Sequence, residues 1–526
     1  MKKQSINLLR NIITRWGGGV LCLTLPLATL AQNISERENK KNSIASRAEA
    51  LHVGAEKQLF IDHRFIASSH DVQLVVNRPR ITKERLIVAD KPWESAWIGD
   101  YLSVIQEEGV LKMWYEAAHR EKADYVVNLA YAYSTDGGAT WVKPNLGIIE
   151  FNGSKENNLV THDTSGIHVF RNRPDAPAAE KYCLYVEKNK AYVSPDGLHW
   201  TRYLDGPLLD KSINENLTLD SQNVIFWDPR IRKYVAYPRI NIRHPNLKNG
   251  EDTSRALAGT LNRIFGYGTS DTLEGFKKFK HVFARDEQDS PDMDWYTTAA
   301  IYYPYAADTY LMFPAAYHHY PEPPVGKYRN DGPLDIQFAS SRDGVQWNRD
   351  DRRPLIRLGV KGSWDSGAMY AGYGLSRHGD ELSLYYTVHD ITHGAYVATG
   401  VLGGIVTRAQ YRLDGFVSAD AAYNGGEFTT PAVVFDGTRL ELNFDGSAGG
   451  WTKVEILDEQ GQAIPGYSIH EADKIAGNSV AETVTWSGKG DVAKLKGRPI
   501  KLRFVMRDAK LYAFQFVHAT SPIPTK

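Results

Sequence analysis

The sequence predicts an all-β protein: a five-bladed β-propeller over residues 51–425 followed by a β-sandwich over residues 426–526. Three observations carry this. The chain is rich in aromatic residues (12 Trp, 29 Tyr, 18 Phe) and in turn formers (44 Gly, 24 Pro), a composition typical of all-β chains of this size. A short turn motif recurs roughly every 70 residues, the mark of a repeat architecture. Between its copies, apolar runs of strand length alternate with turns, as in Asn223–Trp227 followed by Lys233–Tyr237.

From the N-terminus, Lys2, Lys3, Arg10 and Arg15 precede an apolar stretch, Gly19–Leu30, that ends at Ala31. This is the order of a cleavable signal peptide over residues 1–31. The stretch is short and broken by Pro26, so no membrane anchor is expected, and the mature protein is placed in the periplasm or outside the cell. Residues 32–50 are polar without an apolar period and read as a flexible linker.

The repeat appears as Ser134-Thr135-Asp136-Gly137 before Trp141, Ser194-Pro195-Asp196-Gly197 before Trp200, and Ser341-Arg342-Asp343-Gly344 before Trp347. Ser270–Phe276 is a degenerate copy, and Leu413-Asp414-Gly415-Phe416 ends a weaker fifth one. Asp accepts backbone N–H bonds in a turn, Gly supplies positive φ, and Trp fills the gap to a neighbouring sheet. These turns count blades and do no chemistry. Each unit holds about four short strands, and such units close into a ring because none buries its faces alone. Strands near Gln58–Asp62 and Val72–Val76 are the candidates to complete the last blade and hide its edge. From residue 426 the motif stops, and short alternating strands such as Lys501–Met506 read as a sandwich.

Composition also excludes classes. Lys plus Arg equals Asp plus Glu at 62 each, so no polyanion-binding surface is implied and nucleic acid is not an expected partner. After signal cleavage only Cys183 remains, which rules out an internal disulfide and Cys-based metal sites.

In a propeller, chemistry gathers where the innermost strands converge. The segments leading into those strands carry Glu94 and Asp100, Asp220, Asp294, and Asp365, accompanied by Trp97, Tyr296 and Trp364. Convergent carboxylates suit glycoside hydrolysis, in which one acid protonates the leaving oxygen and a second carboxylate activates water or attacks the anomeric carbon. Asp220 and Asp365 are expected as a carboxylate pair across the channel, Glu94 as the general acid, and Asp100 and Asp294 as reserves. Trp97, Tyr296, Trp364, His319 and His389 are expected to contact substrate. His389 and His393 have the spacing of a helical metal site but stand in a β context, so no metal site is assigned to them.

The segments Gln58–Asp62, Lys112–Tyr115, Phe151–Lys155 with Asn157-Asn158, Asp220–Pro229, Gly362–Gly367 and Gly497–Phe504 resemble the secreted bacterial branch of glycoside hydrolase families 32 and 43. The resemblance spans nearly the whole mature chain. It implies an exo-acting glycosidase releasing terminal xylosyl, arabinofuranosyl or fructosyl units from oligo- or polysaccharides. The family motifs Asn-Asp-Pro-Asn-Gly, Arg-Asp-Pro and Glu-Cys are absent, and Trp227-Asp228-Pro229-Arg230 reads as a turn. No cofactor is required by this chemistry, although the resemblance leaves room for a structural Ca²⁺ in the central channel. Two alternatives stay open. One is a non-catalytic glycan-binding propeller; the other is a sialidase-like hydrolase, for which Arg78, Arg239 and Arg342 would have to converge.

Overall fold

The computed structural model describes residues 50–121, 124–162, 164–209, 217–243, 261–320, 331–395 and 403–518. The expected signal peptide and all but the last residue of the expected linker lie outside them. The described chain is all-β, and its helical elements are three-residue 3-10 turns.

Five antiparallel sheets follow one another. Sheet I holds Trp97–Glu107, Val110–Glu121 and Asp124–Ser134, the last flanked by Leu159–Thr161 and by a bridge from Tyr133 to Val142. Sheet II is the meander His168–Arg171, Tyr182–Val186, Lys190–Ser194 and Thr201–Arg202. In sheet III, Val224–Asp228 pairs with Lys233–Tyr237, and the chain continues past Pro238 as Arg239–Arg243. Both segments pair with the long strand Leu261–Ser270, itself flanked by Lys280–Phe283. Sheet IV repeats the device: Tyr310–Met312 resumes after Pro314 as Ala315–His318, and the two halves pair with Ala339–Ser341 and Leu334–Ile336. Proline has no N–H to give to the ladder, so the strand steps sideways there and its inner half runs on independently.

Sheet V holds Ala368–His378, Glu381–His389 and Ile405–Arg412, and its outer strand is Arg80–Ile81 from the start of the chain. The strand that covers this edge is therefore neither of the two expected. Gln58–Leu59 pairs with Ala509–Val517, and Val72–Val76 with Val417–Ala421. Their apolar neighbours explain the difference. Phe60 packs on Phe428 with ring centroids 5.5 Å apart and Phe65 on Phe514 at 5.1 Å, drawing this segment into the C-terminal core.

Adjacent sheets are joined edge to edge. Val169 N donates to Ser103 Oγ at 3.0 Å (I to II), and the buried His168 ring lies 2.6 Å from Ile225 O (II to III). Arg263 Nη1 donates at 2.9 Å to Oδ2 of Asp294, which lies on Met293–Trp295, the strand paired with Ala315–His318 (III to IV). Parallel bridges link Leu334 to Ala368 (IV to V) and Tyr373 to Ser103 (V back to I).

The repeated turns are structural. Ser194 Oγ accepts from Gly197 N at 2.8 Å, and Asp196 Oδ1 accepts from Leu198 N and His199 N at 2.8 and 2.9 Å. Gly197 takes φ +81, and its carbonyl accepts a 2.6 Å bond from Trp114 Nε1 of sheet I. Tyr237 of sheet III makes the same contact with Gly344 O of sheet IV at 2.7 Å. The Trp after the turn packs on the preceding sheet too, Trp141 on Tyr385 and Trp347 on Tyr237.

Two further sheets enclose a separate apolar core. One contains Arg439–Asp445, Asn478–Thr483, Ala509–Val517, Val417–Ala421 and Val72–Val76; the other contains Gly426–Thr429, Ser68–His70, Lys501–Arg507, Trp451–Leu457 and Ile475–Ala476. Lys501–Arg507 alternates half-buried and buried residues along its length, the period of a strand with one face on a core.

Candidate functional site

A cavity of about 410 Å³ is lined by residues on the strands of sheets I and III and on segments that follow strands of sheets II, IV and V, among them Trp97, Asp100, Glu116, Glu187, Asp220, Arg239, Arg263, Tyr296 and His393. Its size falls within the roughly 300–1,000 Å³ of small-molecule sites. A larger recess of about 830 Å³ is lined by Arg349, Arg352 and Arg353 together with Val72–Val76. Those arginines are engaged by Asp289, Asp286 and Asp351, so the convergent chemistry belongs to the smaller cavity.

Sheet I supplies its acids through a local irregularity. Ile98 pairs with Ala117 and Leu102 with Tyr115, so Gly99, Asp100 and Tyr101 all stand opposite the single residue Glu116. A bulge of this kind bends the strand and re-aims its side chains. Gly99 is required at this point: a Cβ there would lie 2.3 Å from that of Glu116.

Glu116 is 3% exposed and its Oε1 accepts from Gly166 N at 2.7 Å. Burial pushes its carboxyl well above the usual range, and the charge of Asp100 adds to the effect. Asp100 lies 2.9 Å from Nε2 of the buried His389. His393 accepts from or donates to Tyr370 OH at 2.6 Å, and burial pushes its pKa down to about 4, so its ring is neutral at pH 7.

Sheet III supplies the cations. Arg239 and Arg263 approach the Tyr296 ring to 4.9 and 5.7 Å, and Tyr296 OH lies 3.3 Å from Tyr101 OH. Arg263 is neutralised by Asp294, which is also 3.1 Å from His319 Nε2. Burial opposes ionisation of Asp294, but Arg263 and His319 together outweigh it and hold its pKa low. Arg239 donates from Nη2 to Asp220, whose side chain is 68% exposed at the rim.

The structure thus brings Asp100, Asp220, Trp97 and Tyr296 to the cavity, with Asp294, His319 and His389 directly behind it. Asp365, Trp364 and Glu94 do not line it. Asp365 is held by Lys83 Nζ at 2.7 Å and Ser363 Oγ at 2.6 Å, and Trp364 lies under the Arg85 guanidinium. Glu94 is buried beneath Lys143, Tyr115 OH and the N–H groups of Asp90 and Lys91. Both acids stand near strand starts, but the loops carrying them turn into ion pairs instead of toward the cavity.

Glu116 and Arg263 are candidate site residues that reasoning from strand entries missed, and Arg239 entered it only as one arginine of the sialidase alternative. Glu116 was signalled by being the lone charge within Met113-Trp114-Tyr115-Glu116-Ala117-Ala118, all of them buried. The three arginines of the sialidase alternative do not meet, since Arg78 is on Asp351 and Arg342 on Asp62.

Among the described residues no group of three or more His, Cys, Asp or Glu side chains is placed to hold a metal ion. The central Ca²⁺ allowed by the resemblance does not fit this cavity, where two guanidinium groups share the wall with the carboxylates.

No family model matches the sequence, and no curated protein matches it. Similar solved structures include a glycosyl hydrolase from Bacteroides ovatus (15% identity, covering 69% of this chain and 94% of that one, TM-score 0.38). A GH62 hydrolase in complex with xylotriose (14%, 64% and 97%, 0.38) and an exo-inulinase from Aspergillus awamori (10%, 82% and 100%, 0.36) are others. At these TM-scores the likeness carries no argument, and the chemistry of this chain rests on its own cavity.

Proposed function

We propose that sheets I to V are the blades of a five-bladed propeller and that the protein is a glycoside hydrolase acting in the cavity where they meet. The observation that carries the chemistry is the pairing of Glu116 with Asp100. Two carboxyl groups face one cavity, and burial raises the pKa of Glu116, the setting in which a carboxyl serves as a proton donor beside a second carboxyl. Glu116, whose pKa burial raises, is the donor to the leaving oxygen. Asp100, oriented by His389, is the carboxylate that attacks the anomeric carbon or activates water. Trp97 and Tyr296 offer faces on which a sugar ring stacks, and Asp220 at the rim and Arg239 in the buried wall offer hydrogen bonds.

The test is hydrolysis of a panel of nitrophenyl glycosides and plant or algal oligosaccharides by the intact protein, Glu116→Gln and Asp100→Asn. Loss of a positioned acid or base is expected to lower turnover by about 10²–10⁴-fold. Unchanged turnover in Glu116→Gln overturns the assignment. Glycan binding without turnover on any substrate replaces the hydrolase with a glycan-binding propeller.

A further inference from the structure

Arg239 is the least satisfied charged group in the cavity wall. Its side chain is 2% exposed, and among the described residues Nε and Nη1 have no hydrogen-bond acceptor. Nη2 is engaged by Asp220 at the solvent edge, and the Tyr296 side chain is the guanidinium's other neighbour. A buried guanidinium with open N–H groups is costly, because each lost water contact goes unreplaced and the charge is poorly solvated. Its neighbour does not relieve it. Arg263 shares the Tyr296 ring, repels Arg239, and has already taken Asp294. The other acids lining the cavity are Asp100, facing His389; Glu116, held by Gly166 N; and Glu187, and no ion pair joins any of them to Arg239 among the described residues.

We propose that the sugar bound in this cavity carries a negative charge, a uronate carboxylate or a sulfate ester, received by the open N–H groups of Arg239. This rests on the reading that the cavity binds carbohydrate, and it names the substrate class. Guanidinium suits either anion because its planar donors form charge-assisted bonds to paired oxygens. The surrounding burial keeps water from competing, and Arg263 adds a second positive charge on the same side of Tyr296.

The experiment is titration calorimetry on the intact protein with glucuronic acid, galacturonic acid and galactose 6-sulfate, each beside its neutral counterpart, at low and high salt. The same pairs are tested as nitrophenyl glycosides. The expected result is that a charged sugar binds about tenfold or more tightly than its neutral partner, with the gap narrowing at high salt. Which charged sugar binds identifies carboxylate or sulfate as the source. Arg239→Gln is expected to abolish the preference and Arg239→Lys to keep part of it. The wild-type comparison decides the matter even where a variant folds poorly. Equal or better binding of neutral sugars overturns this inference and leaves the glycosidase reading intact. Charged-sugar binding without hydrolysis supports the inference and overturns the glycosidase. Binding of no sugar overturns both.

Discussion

Glu116 is the proton donor of the proposed mechanism, and its pH behaviour follows from where it is buried. Because burial raises its pKa, the proton needed for leaving-group departure is present below that raised value and lost as pH climbs through it. The alkaline limb of kcat/KM is therefore expected above the range of an ordinary carboxylate, and Glu116→Gln should remove the limb along with most of the rate; a limb surviving in the variant would assign it to another group. The neighbouring Gly99 is bound to this role. Gly99→Ala places a methyl against the Glu116 side chain and is expected to reduce turnover more than it reduces melting temperature. Reading strand entries reached Asp100 but not Glu116, since only pairing register shows that three residues of one strand stand opposite one of the next.

At the scale of the element, the Ser-x-Asp-Gly turn was legible because its chemistry is local. Asp196 binds backbone within three residues of itself. Its other half, the bond from Trp114 across to the next sheet, was not legible, because the donor lies in a different repeat. Gly197→Ala combines a positive φ with a Cβ only 2.5 Å from Trp114 Cζ2 and should destabilise by about 1–3 kcal/mol. Trp114→Phe, which leaves the buried Gly197 carbonyl unpaired, is expected to cost a comparable amount. Urea midpoints measure both. The fifth, weakest copy departs for a definite reason. Asp414 is fully buried and ties Lys57 Nζ (2.7 Å), Tyr303 OH (2.7 Å) and Asn443 Nδ2 (3.0 Å) together, so it joins distant segments instead of closing its own turn.

For the whole molecule, the N-terminal strands hold the chain's two sheet systems closed. Deleting residues 51–81 removes Arg80–Ile81 from sheet V and Val72–Val76 from the C-terminal sheets, and is expected to abolish cooperative unfolding, measured by calorimetry. Stability should also follow pH through His168, whose pKa burial pushes from 6.5 to about 4. The unfolded chain takes up this proton near pH 6.5 and the folded chain only near 4, so the contribution is complete above 6.5 and lost as pH falls between them. The loss reaches on the order of 3 kcal/mol at the acid end. Asp335, pushed up to about 7 by burial, acts with the opposite sign in that window, its contribution being lost as pH rises. The comparison is therefore between wild type and His168→Gln, whose stability should fall less between pH 6.5 and 4.5.

Sequence alone determined the all-β class, the number of repeated turns and the acid and aromatic content of the strand entries. Those properties arise from period-two burial and from turn bonds a few residues long. Tertiary structure decided which acids meet. The bulge at Gly99–Tyr101, the steps at Pro238 and Pro314 that bring Arg239 and Arg263 around Tyr296, and the ion pairs that divert Asp365 and Glu94 all depend on strand register and on partners far away in the chain. The side chains of a site are positioned by neighbours that no local pattern names.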